Sequence, residues 1–453
     1  MFKFVDRKDQ MNLLEKAWAS EIAQFIVLYG RRRVGKTRLV LEFIEGKEGI
    51  FYIAEDENPR SQINELKDSI AHKLEDDFLR DTDIENWKEL FNYLKKVLPE
   101  EKKFFLAIDE FSYLIKNDNS LASALQKFWD TFLSNTNVCL IVSGSLFGLM
   151  QEKILSHSSP LYGRRTRDIF LEGLSFRYST EFLNMSFKDQ MKTYMTIGGI
   201  PEYLLKTHDY DRYGTFAENE FLNKDGYFYR EPYFILSQEF KTIKTYFTIL
   251  DAISKGNTRP TEIANYSGIE TRSIYPYLEN LIRLGFIERQ VPVSGDNKSG
   301  IYIIKDVVFD FWFNFVHRYR EHIERDMTIH GKNDFNRYFG KRFEELVRTD
   351  IFRYFFDHPK VGRWWYRDTE IDIVALDAEK DDILFAECKW SDDIDSEKIY
   401  RQLKEKKDEV LWGSDARVER YAVFARSFDT KFTRDDLTCI DLKDIERAVQ
   451  SQM

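Results

Sequence analysis

A glycine-rich stretch near the start of the chain has the residue types and spacing needed to bind phosphate. It fits the pattern G-x-x-x-x-G-K-[ST] and consists of Gly30, Arg31, Arg32, Arg33, Val34, Gly35, Lys36 and Thr37. Glycines let successive backbone N–H groups face an anion, and a following helix adds partial positive charge at its N-terminus. Lys36 can reach the terminal phosphates of a nucleotide, and the Thr37 hydroxyl can ligate Mg²⁺. The apolar run 25–29 and the helical spacing of 38–45 predict the strand and helix that such a loop joins.

A pair of acids closes a second apolar run, which spans residues 103–108 and predicts a buried strand. Asp109 could hold Mg²⁺ through water, and Glu110 could orient or activate the water that hydrolyses a nucleotide. Strands often end in acids, so the pair alone indicates little. Its position after a complete phosphate loop is what indicates a role in nucleotide hydrolysis. Another strand, over 138–142, ends at Ser143, which could sense the γ-phosphate or serve only in a Ser/Gly turn. Together these residues predict binding and hydrolysis of ATP with Mg²⁺.

Further polar residues with useful spacing lie in the last third of the chain. Residues 364–376 alternate in part and end as an apolar strand that carries Asp372, and residues 383–390 predict the returning strand. Glu387 and Lys389 are two positions apart and therefore face the same side of that strand. If the hairpin closes near residues 379–380, Asp372 and Glu387 lie at similar height and Lys389 joins them. Because the chain is 32% charged, a Glu-x-Lys triplet alone is also compatible with a surface ion pair.

Composition limits the kinds of protein that this chain can be. At about 150 residues per domain, 453 residues predict roughly three domains. A net charge of −10 disfavours a protein that coats nucleic acid by bulk charge, although a local basic groove is compatible with it. Cys139, Cys388 and Cys439 lack metal-ligand spacing, which predicts reduced thiols. The start has no secretory apolar region and no apolar run approaches about 20 residues, so we expect a cytoplasmic protein without a membrane span.

The elements that position the phosphate loop alternate between strand and helix. Apolar spacing predicts helices over 9–19, 62–74 and 87–97, with an acidic loop over 75–85. Further strands are predicted over 49–54 and 169–171. This alternation favours an α/β fold, with a parallel sheet covered by helices on both faces. We assign residues 1–174 to a P-loop ATPase core.

The order of motifs in this region resembles that of the archaeal-type ATPases, relatives of the AAA+ and STAND P-loop ATPases. The resemblance covers residues 1–235 and rests on Phe4-Val5-Asp6-Arg7, the phosphate loop, the strand ending in Asp109-Glu110, Ser143-Gly144-Ser145, and residues 161–165 and 198–203. It implies a five-stranded core in which the strand before Asp109 lies close to the strand before Gly30. It also implies that residues near Arg7 border the adenine and that 175–238 form a helical lid over the nucleotide. The family usually has glycine where Asp6 stands.

Two arginines that follow Gly163 have alternative interpretations. The guanidinium group of Arg164 or Arg165 could stabilise the transition state of phosphoryl transfer, in the same chain or across a homo-oligomer. The alternative is an interdomain ion pair or simple solvation, and the sequence does not choose between the two arginines.

Residues 239–306 predict a winged helix-turn-helix. Apolar stripes predict helices over 242–254, 259–264 and 270–284, then strands around 291–293 and 301–304 with a turn cluster over 294–300. Three helices and a hairpin can read DNA with the third helix. That helix mixes acidic and basic residues, so the module is either a DNA-binding domain or a spacer.

An aromatic connector is predicted over 307–330, followed by a helix over 341–356 with Glu344 and Glu345 near its start. This helix and the two strands behind it resemble the PD-(D/E)xK, restriction-endonuclease-like nucleases, and specifically the domain of unknown function fused behind archaeal-type ATPases. The resemblance covers residues 331–453, with Ile371 where the pattern has proline. It implies that Asp372 and Glu387 hold Mg²⁺, that Lys389 positions the attacking water, and that Glu344, or alternatively Glu345, completes the site.

The chemistry of this second site is physically reasonable. Carboxylate oxygens suit Mg²⁺, which polarises a phosphodiester and lowers the pKa of bound water. Lys389 adds positive charge where oxyanion charge develops. The run 398–407 predicts a basic helix that either meets a phosphate backbone or is simply a solvated face.

The sequence thus predicts an ATP-hydrolysing protein that couples nucleotide state to a metal-dependent nuclease-like domain acting on nucleic acid, with DNA as the expected partner. The alternative is a nucleotide-gated switch or regulator that binds DNA or protein without cutting it. A third interpretation is an ATPase whose C-terminal domain serves assembly alone.

Overall fold

A computed structural model of the chain describes residues 4–295, 300–325, 327 and 332–451. It divides into two compact units, Met1–Leu174 with Ile200–Glu202, and Ser175–Gly199 with Tyr203–Met453. Within the described residues, the strands form one five-stranded sheet in the first unit, and a hairpin and a second five-stranded sheet in the second. The predicted turn over 294–300 and the end of the predicted connector lie partly outside these residues.

The first unit is built on a parallel sheet with the strand order β2-β3-β4-β1-β5. Its strands are β1 (Gln24–Tyr29), β2 (Gly49–Ile53), β3 (Phe104–Asp109), β4 (Val138–Gly144) and β5 (Arg167–Phe170). The central strands β3 and β4 are buried along their whole length, which explains their continuous apolar sequences. The strand before the phosphate loop, β1, lies between β4 and β5. β4 therefore separates β3 from β1, and these two strands are close but not direct neighbours.

Helices cover both faces of this sheet, as predicted for an α/β fold. They are α1 (Lys8–Trp18), α2 (Lys36–Ile44), α3 (Pro59–Leu74), α4 (Asp77–Asp81), α5 (Trp87–Val97), α6 (Phe111–Asn117), α7 (Ser120–Thr131) and α8 (Phe147–Met150). One apolar cluster joins α3, α5, α6 and α7 to the sheet, and another joins α1 and α2 to it. Burial of both faces fixes the carboxyl ends of the strands, where the polar residues of interest lie.

The acidic stretch 75–85 was predicted as a loop, and that prediction is wrong in its middle. Helix α4 forms there because Asp76 accepts a hydrogen bond from the Leu79 backbone N–H at 2.9 Å, which caps the helix. Leu79 is fully buried and anchors the short helix in the core. A single anchoring residue produces no apolar period in a sequence, so the pattern did not show this helix.

The second unit begins with a helical segment formed by α9 (Phe176–Ser179), α10 (Phe187–Ile197), α11 (Pro201–Leu205), α12 (Tyr213–Glu220) and α13 (Tyr227–Glu239). The predicted break between helices is confirmed. α10 ends at Ile197, Gly198 has a φ of +66°, and α11 begins at Pro201. The division between the two units falls within α11.

A helix-turn-helix and a hairpin follow, as predicted, but with different bounds. They comprise α14 (Ile243–Ser254), α15 (Pro260–Ser267), α16 (Tyr275–Arg283), β6 (Ile287–Gln290) and β7 (Ile301–Ile304). The third helix begins at Tyr275 rather than at 270, and Pro276 occupies its first turn. The first strand ends before 291–293, because Pro292 has no N–H to donate to a partner strand. Val293 instead donates its N–H to the Arg363 carbonyl at 2.9 Å.

The connector and the next helix differ from the prediction in detail. They comprise α17 (Val307–Phe311), a π-helical turn over Trp312–His317, α18 (Arg320–Glu324), α19 (Lys332–Leu346) and a π-helical turn over Val347–Ile351. α19 begins well before 341, so Glu344 and Glu345 lie near its C-terminal end rather than near its start. Gly340 lies inside this helix, and an internal glycine looks like a helix boundary in a sequence.

The C-terminal sheet is mixed and has the order β12-β11-β10-β9-β8. It consists of β8 (Lys360–Tyr366), β9 (Thr369–Asp377), β10 (Asp382–Lys389), β11 (Val418–Ala425) and β12 (Leu437–Ile440), flanked by α20 (Ser396–Lys406) and α21 (Leu442–Ser451). β8, β9 and β10 pair antiparallel, and β10, β11 and β12 pair parallel. Residues 364–376, which were predicted to alternate in part and to end as a strand, belong to two strands of a hairpin that turns at Arg367, where φ is +52°. The next hairpin closes between Asp377 and Asp382, as predicted.

All three cysteines are free thiols, as predicted. Among the described residues, the model contains no helix with the length and apolar character that crossing a membrane requires.

Candidate active sites

The phosphate loop joins β1 to α2, and its glycines meet specific steric demands. A Cβ atom on Gly30 would lie 2.3 Å from the Leu171 carbonyl oxygen, so only glycine fits against that backbone. Gly35 has a φ of +93° and precedes the first turn of α2, which starts at Lys36. The loop therefore ends at a helix N-terminus, where backbone N–H groups and the helix dipole favour an anion.

The Lys36 ammonium group lies over this loop. Its Nζ atom donates to the Gly30 carbonyl at 3.0 Å and to the Arg31 carbonyl at 2.9 Å, and the side chain is buried. Phosphate oxygens of a bound nucleotide would compete with these neutral carbonyls for a full positive charge, and charge-assisted hydrogen bonds are the stronger kind.

Asp109, at the end of β3, is the point where several predicted site residues meet. It accepts a hydrogen bond from the Thr37 hydroxyl at 2.5 Å and another from the Ser143 hydroxyl at the end of β4. Asp109 is only 2% exposed. The Thr37 hydroxyl and the Asp109 carboxylate are thus adjacent hard oxygen donors at the start of α2, a donor set that fits Mg²⁺.

Glu110 lies beside Asp109 in sequence but in a different environment. Its backbone is left-handed, with a φ of +51°, and its Oε2 atom accepts a hydrogen bond from the Ser145 hydroxyl at 2.6 Å. The Ser145 backbone N–H also points to that oxygen at 3.3 Å. Sequence reasoning did not select Ser145, although it belongs to the Ser143-Gly144-Ser145 turn that ends β4.

Arg7 contacts the backbone of the phosphate loop. Its Nη2 atom donates to the Val34 carbonyl at 3.1 Å and to the Glu172 carbonyl at 2.6 Å, and the residue is 6% exposed. The structure therefore shows Arg7 bracing the loop, while its predicted position beside an adenine stays a prediction. Asp6 has a φ of +61°, which explains why glycine would be common at this position.

Two arginines of the phosphate loop, Arg32 and Arg33, also have side-chain partners. The Arg32 guanidinium group donates to the Tyr113 hydroxyl at 3.0 Å, and Arg33 pairs with Glu202 at 3.3 Å. Sequence reasoning did not select Tyr113 or Glu202.

The two arginines after Gly163 form ion pairs inside the first unit. Arg164 pairs with Asp130 at 3.1 Å, and Arg165 pairs with Asp168 at 3.4 Å. The role of either arginine towards nucleotide stays a prediction.

In the second unit, the structure places Asp372, Glu387 and Lys389 together. Pairing between β9 and β10 runs up to Ile373 and Ala386, directly beside the two acids. The Lys389 Nζ atom lies 2.7 Å from Glu387 Oε2 and 3.8 Å from Asp372 Oδ2. The Cys388 backbone N–H donates to Asp372 Oδ2 at 2.9 Å. Each acid is only 5% exposed, so the group is held inside the fold rather than at a free surface.

Electrostatics distinguish the acids of this group. Burial raises the pKa of Asp372 well above its usual range, and the charges of Glu387 and Glu344 raise it further. Burial also acts to raise the pKa of Glu387, but the ammonium groups of Lys389 and Lys406 outweigh it, and the pKa of Glu387 is lowered. The surroundings of Glu387 thus favour its ionised form, whereas those of Asp372 disfavour ionisation.

Of the two alternatives on α19, Glu344 belongs to this group. Burial raises the pKa of Glu344, and its carboxyl group interacts electrostatically with Lys389 and Glu387. Glu345 instead pairs with Arg342 at 2.9 Å.

Lys406 is a member of the site that sequence reasoning did not select. It lies on α20, and its Nζ atom is 2.6 Å from Glu387 Oε1, opposite the contact from Lys389. Three other basic residues of this region also contact acids, as the following pairs show: Arg401 with Glu397, Lys404 with Asp436, and Lys407 with Glu419. The available signal was the basic run itself, which we interpreted only as a surface.

The donor chemistry of this site suits Mg²⁺, but the ligand set formed by the protein is incomplete. Asp372 and Glu387 offer hard oxygens, and burial, followed by the charges of Glu387 and Glu344, raises the pKa of Asp372. Both oxygens of Glu387 are bonded to lysines. Across the described ranges, no group of three or more His, Cys, Asp or Glu side chains is arranged to hold a metal ion.

Three family models match successive parts of the chain. Residues 4–207 match an ATPase domain predominantly from Archaea. Residues 241–294 match the sugar-specific transcriptional regulator TrmB, and residues 312–407 match a domain of archaeal and bacterial proteins of unknown function.

Several known proteins are similar to a part of this chain or to nearly all of it. An uncharacterized ATP-binding protein of Methanocaldococcus jannaschii is 51% identical over 45 residues, which are 10% of this chain and 76% of that protein. The solved structure of a Walker-type ATPase of Pyrococcus abyssi is similar with a TM-score of 0.55 and 23% identity, over 68% of this chain and 96% of that one, and shows the fold. A further uncharacterized protein of M. jannaschii is 35% identical over 454 residues, covering 97% of this chain and 99% of the relative. The chain therefore belongs to the same family as this M. jannaschii protein, and its N-terminal part is a P-loop ATPase domain of the kind found predominantly in Archaea.

Proposed function

We propose that this ATPase couples its nucleotide state to metal-dependent cleavage of nucleic acid, with DNA as the substrate, at the carboxylate site of the second unit. The observation that carries the proposal is the pair of buried acids Asp372 and Glu387, next to the partly exposed Lys389 and Glu344; two strands and a helix contribute these residues. Buried, electrostatically strained carboxylates beside a lysine are more typical of a functional site than of a surface ion pair.

The proposal divides the chain into five parts. Residues 1–174 are the ATPase core, 175–238 the helical lid, 239–306 the winged helix-turn-helix, 307–330 the connector and 331–453 the PD-(D/E)xK nuclease-like domain. A lid over the nucleotide and a restriction-endonuclease-like fold are parts of the proposal, supported by the order of elements and by the mixed sheet.

At the nucleotide site, ATP would lie along the loop from Gly30 to Thr37. Lys36 would move from the loop carbonyls to the β- and γ-phosphates, and Thr37 with Asp109 would hold Mg²⁺. Glu110 would orient the attacking water, while Ser145 keeps its carboxylate in place. Arg164 or Arg165 would supply positive charge to the transition state, in the same chain or to a neighbour in a homo-oligomer.

At the carboxylate site, Asp372 and Glu387 would hold Mg²⁺, which when bound polarises a phosphodiester and lowers the pKa of water. Lys389 lies within reach of both acids and would place a positive charge beside the phosphate oxygen that becomes more negative. Glu344 would orient the attacking water or accept a proton from it, since it lines one cavity together with Lys389. Lys406 would keep the Glu387 carboxylate in one orientation.

The route from nucleotide to carboxylates follows the chain itself. Within the first unit, the phosphate-loop residue Arg33 pairs with Glu202. Residues 200–202 continue directly from α10, which belongs to the second unit and packs against α19. α19 carries Glu344, so a change at the phosphate loop has a continuous path to the carboxylate site. This coupling is a hypothesis from connectivity and packing.

The test is cleavage of labelled linear DNA with Mg²⁺, with and without ATP. Lys389→Ala should lower the cleavage rate by at least about 100-fold, because it removes the charge that stabilises the reacting phosphate. Lys380→Ala is the matched control, since Lys380 is exposed in the turn at the other end of the same hairpin. Lys36→Ala should abolish the effect of ATP. If Lys389→Ala cleaves as fast as wild type, the proposed active site is wrong.

A second candidate function is a nucleotide-gated regulator that binds DNA without cutting it. Two observations favour it: residues 241–294 resemble a transcriptional regulator, and both oxygens of Glu387 are already bonded to lysines. On this hypothesis α16 and the turn before it would meet DNA through exposed residues such as Tyr275 on the helix and Arg272 in the turn. ATP-dependent DNA binding by wild-type protein, without any cleavage in Mg²⁺ or Mn²⁺, would favour the regulator.

A further inference from the structure

The second unit contains a cavity of about 910 Å³ that the proposed function does not yet use. Its wall is formed by α14 and β7, by the π-helical turn Trp312–His317, by α19, and by the β8–β9 pair through Arg363 and Glu370. It therefore lies between the winged helix and the carboxylate site, inside one compact unit.

One face of α19 presents positive charge to this cavity. Arg337 and Lys341 are four positions apart, which places them on one side of α19, and Arg348 follows in the π-helical turn; all three line the cavity. Arg337 and Lys341 have no carboxylate within ion-pairing distance in the part of the chain that the structure describes. By contrast, the acids Asp310 and Glu345 are paired with Arg342.

Two buried donors in the same wall lack an acceptor. The Nε atoms of Arg342 and Arg363 are buried and, among the described residues, make no hydrogen bond. The Arg342 side chain is only 8% exposed. Buried N–H groups without a partner are uncommon, and a phosphate oxygen, like a carboxylate oxygen, is an acceptor that guanidinium groups bind strongly. The cavity therefore has both free positive charge and unmet donors, which together fit a ligand with phosphate groups.

The cavity also reaches the carboxylate site. A second cavity of about 360 Å³ is lined by Lys389, Gly340, Glu344 and Arg337, and the last two residues also line the larger cavity. Gly340 faces open space, because a Cβ atom built on it would meet nothing within 4 Å. The helix thus leaves room between the basic face of α19 and Lys389.

The dimensions select the form of the nucleic acid. Asp372 and Glu387 are each 5% exposed, so a continuous duplex is too wide to bring a phosphodiester to them. A cavity of about 910 Å³ has room for a few nucleotides of one strand. We infer that this cavity binds the single-stranded end of a DNA molecule, with Arg337 and Lys341 on its phosphates, and directs it past Gly340 to Lys389. This inference rests on the proposed function and defines its substrate as a free single-stranded end.

The test measures binding of a fluorescent single-stranded oligonucleotide by anisotropy, in EDTA so that cleavage plays no part. The competitor is a duplex of the same sequence whose two ends are closed by hairpin loops. Arg337→Ala/Lys341→Ala should weaken single-strand binding about tenfold and make its salt dependence shallower. Lys443→Ala/Arg447→Ala is the matched control, since these basic residues are also four apart on a helix, α21.

A second variant tests access rather than charge. Gly340→Leu should also weaken single-strand binding about tenfold by filling the open space, and a leucine favours the helix more than glycine does. Gly214→Leu is its control, since Gly214 lies in α12 with nothing within 4 Å of its Cβ position.

Equal affinity for the closed duplex, or unchanged single-strand binding in both variants, overturns the inference. Single-strand binding that depends on Arg337, Lys341 and Gly340 supports it even if wild-type protein cleaves nothing in Mg²⁺. That last result would overturn the proposed nuclease activity alone, so failure of the two proposals can be told apart.

Discussion

At the scale of single residues, Asp109 and Glu110 show how neighbours in sequence acquire different tasks. Asp109 ends β3 and accepts hydrogen bonds from Thr37 and Ser143, which come from two other segments. The backbone then turns left-handed at Glu110 and directs its side chain to Ser145. A non-glycine residue in this conformation carries some strain, which is typical of functional positions. We expect Asp109 to hold Mg²⁺ and Glu110 to orient the water that attacks the nucleotide.

Replacing Glu110 tests this division at the nucleotide site. Glu110→Gln should lower kcat for ATP hydrolysis about 100-fold, because the amide cannot act as a base, while nucleotide affinity stays near wild type. Ser145→Ala should lower kcat about tenfold with little change in KM, since a charge-assisted hydrogen bond is worth about 1.5–3 kcal/mol.

The controls for this prediction separate positioning from folding. Ser145→Thr keeps the hydroxyl and should restore most of the rate, and Ser158→Ala removes an exposed hydroxyl elsewhere in the unit. A Ser145→Ala variant with wild-type kcat would show that the contact with Glu110 has no part in hydrolysis.

At the scale of elements, the short helix α4 shows how a few contacts can stabilise an element that the apolar pattern of the sequence does not predict. α4 exists because Asp76 caps it and Leu79 anchors it. Asp76 also accepts a hydrogen bond from the Tyr93 hydroxyl at 2.6 Å, which ties the short helix to α5. These two hydrogen bonds, that of Tyr93 first and that of the Leu79 N–H second, hold the pKa of Asp76 below its usual value.

The lowered pKa gives α4 a pH dependence with a definite sign. Ionised Asp76 stabilises the folded helix above the carboxyl's unfolded pKa of about 3.9, and this contribution is lost as pH falls through the lower folded pKa. Hydrogen exchange of residues 77–81, corrected for intrinsic rates, should therefore show protection falling from about pH 5 downwards. Asp76→Asn can still cap the helix but cannot titrate there, so its protection should fall less. Identical pH profiles for the two proteins would remove Asp76 as the cause.

At the scale of the whole molecule, the contact between α10 and α19 joins the segment next to the ATPase core to the helix that bears Glu344. The Tyr338 hydroxyl lies 3.3 Å from the Met195 carbonyl on α10 and 3.4 Å from the Val307 carbonyl on α17. Tyr338 is buried, so its hydroxyl depends on these carbonyls for hydrogen bonding. The three helices therefore share a polar contact that is sensitive to their relative positions.

Removing this hydroxyl tests the coupling. Tyr338→Phe should leave basal ATP hydrolysis and ATP-free DNA cleavage near wild type, but reduce the stimulation of cleavage by ATP at least about twofold, which corresponds to about 0.4 kcal/mol of coupling. Tyr366→Phe is the control, since Tyr366 is 51% exposed. Unchanged stimulation in Tyr338→Phe would show that the signal does not pass through this contact.

The sequence by itself determined the local arrangements of this protein. The phosphate loop, the strand ending in Asp109-Glu110, the break before Pro201 and the β9–β10 hairpin depend on residues close together in the chain. Glycine geometry, burial of parallel strands and the two-residue period of a strand leave signals at that range.

Only the tertiary structure decided how distant segments meet. It places β4 between β1 and β3 and forms the hydrogen bond from Ser145 to Glu110. It also places Glu344 near Lys389, while Glu345 pairs with Arg342. Lys406 contacts Glu387 from a separate helix. The sequence-based bounds of α16, β6 and α19 were wrong, and so was the loop predicted where α4 lies. Buried anchor residues, prolines and an internal glycine affect these elements in ways that the apolar period of the sequence does not show. A hydrogen bond between residues far apart in the chain depends on the folded backbone, and no spacing rule within one segment specifies it.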